Sequence, residues 1–323
     1  MPRYREITDD NEDYSDYVQV RPPKVQLGPK KTPSEILGEI VEATGLEDGF
    51  NPTFQPAKYE KVWLLSSLGV FYEQHLINDV LAQVKGGKEA TVYRCMAYPE
   101  TGLELVAAKV YRPRQFRNLR NDKMYREGRE MLTGEGRAIK RTDHRIMRAI
   151  GKKTTFGEQV QHTSWLLYEY TTLEKLHAAG AAVPQPFAVS DNVIVMEYRG
   201  DYHRAAPTLQ ESVLPQNQAQ AFFEEVLRNI ELMLQHGLVH GDLSAYNILY
   251  WDNRLTLIDF PQVTDIRSNP NARFILERDL KRVCEYFDRY DVKSDWFKLA
   301  KDFWEKYAEP ELEVENLLAD LSE

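Results

Sequence analysis

The stretch His240-Gly241-Asp242-Leu243-Ser244-Ala245-Tyr246-Asn247 decides how this chain reads, together with Leu257-Ile258-Asp259-Phe260 a little further on. An Asp and an Asn on one tight loop can face the same cleft. Asp242 is suited to accept the proton of an attacking hydroxyl. Asn247 is suited to hold a divalent metal through its amide oxygen. Asp259 ends a predicted strand, where a carboxylate can bind a metal that bridges phosphates. Magnesium takes oxygen ligands and commonly only one or two protein carboxylates.

Working outward, phosphoryl transfer needs little more than a hydroxyl-orienting acid, a metal set and a phosphate-gripping lysine. Val106-Ala107-Ala108-Lys109 supplies the lysine on a predicted strand and resembles the kinase Val-Ala-Ile-Lys strand. Glu169, on the helix that follows, is the expected partner of Lys109. The Gly86-Gly87 turn stands where backbone N–H groups could face phosphates. Taken singly, each piece has a plainer meaning. The loop could be a surface turn beside a buried His, Lys109 an exposed strand lysine, and Gly86-Gly87 a hairpin turn. Glu169 could be a solvated helix residue, and Asp259 could cap the next turn. All five occur in the order that kinase chemistry requires.

The bulk properties fit a soluble globular protein. The chain has 323 residues, 42% of them hydrophobic and 28% charged, enough to bury a sizeable core. No apolar run approaches membrane-spanning length, and residues 1–16 are polar rather than signal-like. Cys95 and Cys284, the two cysteines, make no disulfide framework, so a cytoplasmic setting is expected. The net charge of −9 hides an asymmetry: residues 111–153 hold 14 Lys/Arg against 5 Asp/Glu. That insert is read either as a solvated pair of Arg-rich helices or as a surface for phosphates or an acidic partner.

Along the chain, residues 1–31 read as a disordered tail. Thr32, Pro33 and Glu35 form an N-terminal capping pattern, and residues 32–80 read as a helical extension. Its second helix is expected over 59–82, broken near Gly69. Short β-prone runs follow at 81–85, 91–97 and 103–111, then the basic insert, a helix over 164–178 and a strand over 193–198. An amphipathic helix is expected over 217–236, stopped by Gly237. A hairpin follows the 240–247 loop, and helices fill most of the rest. Strands first and helices later describe a two-lobed α+β protein with a ligand cleft between lobes 81–198 and 199–323.

With these pieces in place, the sequence resembles the RIO family of atypical protein kinases. The specific segments are Val84-Lys85-Gly86-Gly87-Lys88-Glu89-Ala90-Thr91-Val92-Tyr93, Ala107-Ala108-Lys109-Val110-Tyr111, Trp165-Leu166-Leu167-Tyr168-Glu169 and Val193-Ile194-Val195-Met196-Glu197-Tyr198. The 240–247 loop and Ile258-Asp259-Phe260-Pro261-Gln262 are similar to the family's catalytic and metal loops. The resemblance implies a protein-kinase-like fold with a trimmed C-terminal lobe, since no Ala-Pro-Glu follows Asp259. It implies that Asp242 is the catalytic acid and that Asn247 and Asp259 hold Mg2+ or Mn2+. Lys109 and Glu169 would hold the phosphates of ATP, with Val84, Lys88, Glu89 and Ala90 along the nucleotide. Met196, Glu197 and Tyr198 would meet adenine, largely through their backbone. The insert 111–153 would be the family's flexible loop. The sequence departs from the family's Ser-Thr-Gly-Lys-Glu: Lys85 and Gly86 replace Ser-Thr, and a hydroxyl that could meet phosphate is missing.

Three functions are consistent with these residues. One is a RIO-type Ser/Thr kinase or ATPase, which could act on itself. Another is a small-molecule kinase similar to aminoglycoside or choline phosphotransferases, which share His-Gly-Asp-Leu-x4-Asn. The last is an ATP-binding assembly factor on a ribonucleoprotein, using the basic insert on RNA or a ribosomal particle, as members of the family act in small ribosomal subunit maturation.

Overall fold

The computed structural model describes residues 50–87, 89–112, 131–133, 137–139, 143–152 and 154–309. The expected tail over 1–31, the helix capped at Thr32, Lys88 and most of the basic insert lie outside the described residues.

Helix α1, Lys58–Glu73, exists because Leu64, Leu68 and Phe71 recur on one face and are all buried. It runs through Gly69 without a break and ends at Gln74, after which His75 takes a left-handed φ of 56°. The helix expected to reach residue 82 therefore stops nine residues early, and strand β1, Ile77–Gly86, begins instead. The misreading has a physical source. β1 carries register shifts at three places along its pairing with β2, Ala90–Ala97. These irregularities bring Ile77 and Val80 to the same buried face at a spacing of three, which imitates a helix.

The main sheet has the order β1-β2-β3-β5-β4, every neighbouring pair antiparallel, with β3 at Leu105–Tyr111, β4 at Pro186–Val189 and β5 at Val193–Glu197. β2 alternates strictly: Thr91, Tyr93, Cys95 and Ala97 are buried, and the last three join Leu64, Leu68 and Phe71 in one core. The central strand β3 is buried on both faces. β4 was not expected. It is an edge strand that opens with a proline, the position where a sheet tolerates one.

Of the insert, helix α2 at His144–Gly151 is described. Helix α3, Thr155–Ala178, starts earlier than the expected 164, capped by the Thr154 side chain accepting from the Gly157 N–H. A larger core gathers around helix α4, Ala219–Gln235, whose Phe222, Val226, Ile230 and Met233 face inward. Gly237, at φ 72°, ends it. The two-residue strands β6, Leu238–Val239, and β9, Thr264–Asp265, pair across the base of the 240–247 loop. Between them β7, Ile248–Trp251, and β8, Arg254–Leu257, form a hairpin. Its tip residues Asp252 and Asn253 both have positive φ, as a type I′ turn requires. Helices α5, Ala272–Phe287, and α6, Trp296–Phe303, complete the larger core. The result is a mixed α/β protein with an N-terminal helix on a sheet. Among the described residues, no helix is long and apolar enough to cross a membrane.

Candidate functional site

Lys109 projects from β3 and is 7% exposed. Its Nζ lies 2.7 Å from Glu169 Oε1 and 2.7 Å from Asp259 Oδ1. Burial opposes its charge, but Asp259 and Glu169 together hold the ammonium well above the ordinary lysine value. Glu169 is buried on α3 and also accepts a hydrogen bond from the Tyr111 hydroxyl. Burial and the Glu169 charge push that phenol well above its usual range. Asp259 stands at the end of the segment after β8 with φ 73°, a conformation that is uncommon outside glycine. Its side chain keeps 43% of its surface exposed, and the Lys109 charge outweighs its burial to hold the carboxyl below the usual range.

A second group forms on the 240–247 loop. The Asn247 amide donates to the Asp242 carbonyl at 2.9 Å and to Asp242 Oδ2 at 3.3 Å. Both amide hydrogens are thereby committed, which turns the Asn247 oxygen away from Asp242 as an acceptor. The other Asp242 oxygen lies 2.7 Å from Arg282 Nη1 on α5. The loop is held from the same helix one turn earlier: the Gly241 N–H donates to Asp279 Oδ2 at 2.9 Å, and Arg278 donates to the Gly241 carbonyl. His240 is buried, accepting from the Asp242 N–H at Nδ1, which leaves Nε2 to donate to the Ile258 carbonyl at 3.2 Å. Burial pushes His240 down to about 4, so it is neutral at pH 7.

Backbone bonds join the two groups. The Ile258 N–H donates to the Asn247 carbonyl at 2.9 Å, and the His240 ring lies 4.6 Å from that of Phe260. Trp165 on α3 donates from Nε1 to the Pro261 carbonyl at 3.2 Å and sets its ring edge-on to Tyr111 at 4.8 Å. One helix thus touches both the lysine strand and the segment after Asp259.

The remaining expected residues take these places. Val84 is exposed on the irregular part of β1. Glu89 and Ala90 form the β1–β2 turn, closed by the Gly87 N–H donating to the Ala90 carbonyl at 2.9 Å. A Cβ on Gly87 would sit 2.9 Å from that carbonyl oxygen, so the turn needs glycine. Met196 and Glu197 lie on β5 directly beside β3, opposite Ala107 and Val106. Tyr198 follows, packed against the larger core. Glu197 forms an ion pair with Arg199 at 3.1 Å.

Sequence reasoning missed Tyr111, Trp165, Arg278, Asp279 and Arg282. Tyr111 had a signal, because residues two apart on a strand share a face and Lys109 marks that face. Arg278, Asp279 and Arg282 share one helix face by their spacing, but nothing in the sequence says what that face meets. Among the described residues, no group of three or more His, Cys, Asp or Glu side chains could hold a metal.

Sheet, loop and helices define a mixed α/β protein in which the buried Lys109 meets the carboxylates of Glu169 and Asp259. The family model described as the RIO domain matches residues 109–299. The chain belongs to the RIO family of atypical serine/threonine kinases. It is 33% identical over 212 residues to the RIO-type serine/threonine-protein kinase Rio1 of Haloferax volcanii, an alignment covering 66% of this chain and 64% of that protein. The serine/threonine-protein kinase RIO1 of Chaetomium thermophilum is 28% identical over 232 residues, covering 68% of this chain and 41% of that protein. The Rio1 protein of Thermoplasma acidophilum is 30% identical over 131 residues, covering 41% of this chain. The chain therefore spans less than two thirds of the length of the Haloferax and Chaetomium relatives.

Proposed function

We propose that this chain is an ATP-dependent phosphotransferase, a RIO-type Ser/Thr kinase or ATPase, working in a cleft between two lobes that meet near residue 198. The observation that carries the reading is the buried Lys109 joined to Glu169 and Asp259, with the residue before Asp259 bonded to the loop on which Asp242 and Asn247 are bonded to one another. In this reading Lys109 grips phosphates, and Glu169 and Tyr111 hold it in place. Asp242 orients the acceptor hydroxyl and takes its proton, with Asn247 and Arg282 fixing its two oxygens. Met196, Glu197 and Tyr198 border adenine, with Val84, Glu89, Ala90 and Lys88 at the phosphates.

A divalent metal fits the Asn247 oxygen and the half-exposed Asp259 carboxylate, a set of hard oxygen donors such as Mg2+ takes alongside phosphate and water. When bound, it neutralises charge on the phosphate oxygens. Lys109 would then share Asp259 with that metal. A protein acceptor, this chain included, is favoured over a small alcohol by membership of the RIO family.

The test is incubation of the full chain with γ-labelled ATP and magnesium, wild type beside Asp242→Ala, following labelled protein and free phosphate together. Wild-type transfer that drops by about a hundredfold or more in the variant is the expected result. Label on the chain identifies a kinase, and free phosphate alone an ATPase. Equal rates in both proteins would remove Asp242 from the chemistry.

A further inference from the structure

We infer that Lys85 is a second phosphate-gripping cation, contacting the terminal phosphates of a nucleoside triphosphate at the same site as Lys109. The inference rests on the proposed nucleotide reading and names a residue that the family pattern does not supply, since a hydroxyl residue is usual there.

The geometry comes from strand register. Lys85 pairs with Val92, and Val92 pairs with Lys109. Directly opposed residues in antiparallel pairs put their side chains on one face. Lys85, Val92 and Lys109 therefore form one row across three strands. That face is the one turned from α1, because Val92 packs on the larger core with Ala107, Tyr111, Ile194 and Met196, whereas Thr91 and Tyr93 point the other way. Two strand spacings separate the lysine backbones by about 10 Å. A triphosphate chain reaches across such a gap when long, flexible lysine stems close on it.

Exposure agrees with this role. Lys85 is exposed at the open end of β1, beside the turn that Gly87 closes. Lys85 is near enough to Glu211 for its charge to bear on that carboxylate. Glu211 is fixed in place, accepting from the Thr208 N–H and hydroxyl at 2.9 Å each. By the strand register, a polyanion bound on Lys109 would meet Lys85 along the same row.

Chemically, replacing a hydroxyl by an ammonium puts a full charge with three donors at the phosphate-covering turn. A competing explanation is that β1 is an edge strand, and edge lysines discourage strand addition. That role needs a charge but no nucleotide.

The experiment is calorimetric titration of the full chain with ATP and AMP, with and without magnesium, for wild type, Lys85→Ser and Lys85→Arg. Lys85→Ser is expected to weaken ATP about tenfold while AMP affinity stays within about twofold, and Lys85→Arg to retain most ATP affinity. Because the side chain is exposed, thermal midpoints should match, and Lys85→Arg keeps the charge should the serine variant fold poorly. Equal ATP affinity in wild type and Lys85→Ser overturns the inference and leaves the nucleotide site standing. Equal losses of ATP and AMP overturn the assignment to terminal phosphates. No ATP binding by the wild type overturns the nucleotide reading and this inference together.

Discussion

At the scale of single residues, the buried ionisable groups under the 240–247 loop oppose one another. His240 is pushed down to about 4 by burial, and Asp279 is pushed up to about 6, also chiefly by burial. The signs follow from linkage. An unfolded histidine gains its proton near pH 6.5 and buried His240 only near 4, so acidification through that window costs stability, roughly 3 kcal/mol at full extent. Asp279 is ionised at neutral pH at a cost that acid relieves below about pH 6. The two contributions largely cancel between pH 6.5 and 4. In urea denaturation across that window, His240→Gln should gain stability on acidification relative to wild type, and Asp279→Asn should lose it. The slopes carry the test, whatever baseline each variant has. Parallel slopes in all three proteins would mean that neither group titrates in the fold with a shifted value.

At the scale of elements, the loop is shaped by what α5 and the post-Asp259 segment leave room for. Gly241 has φ 89°, and a Cβ there would sit 2.0 Å from the Gln262 carbonyl oxygen. Gly102 has a similar φ of 71° but open space around it. The pair separates backbone strain from steric exclusion. Gly102→Ala should cost about 1 kcal/mol, and Gly241→Ala about 3 kcal/mol or more, in the same denaturation measurement. Equal costs would mean that the 262 carbonyl yields freely. These elements also set what the sequence could disclose. Lys109, Glu169, Asp242, Asn247 and Asp259 stood out because the chemistry proposed for them restricts residue type and order, and of their expected contacts the pairing of Lys109 with Glu169 is the one the structure displays. The hairpin at Asp252 and Asn253 and the end of α4 at Gly237 were legible as well, since local backbone conformation dictates them. β1 was misread because its irregular register breaks the two-residue period. Arg282, Arg278 and Asp279 were not legible because their partners lie about 40 residues away, and only packing decides what a helix face meets.

At the scale of the molecule, one core forms between α1 and the sheet, and the other among the C-terminal helices and the opposite sheet face. Helix α3 belongs to the second core through Leu166, Leu173 and Leu176. It also carries Trp165 and Glu169 one turn apart. Glu169 holds the lysine strand, and Trp165 holds the Pro261 carbonyl, two residues past Asp259. A displacement of the Asp259 segment must therefore pull on the same helix that positions Lys109. Trp165→Phe keeps an aromatic edge against Tyr111 but removes the hydrogen bond to Pro261. On the proposed reading, this loosens Asp259 while leaving Lys109 paired with Glu169. The expected result is a magnesium requirement for ATP binding raised about fivefold, unchanged ATP affinity without metal, and a stability loss of about 1 kcal/mol. Magnesium titrations at fixed ATP measure the first two, and thermal unfolding the third. A stability loss with an unaltered magnesium requirement would reduce Trp165 to packing and uncouple the segment from the lysine strand. A raised requirement would make α3 the part through which metal and phosphate binding are felt together.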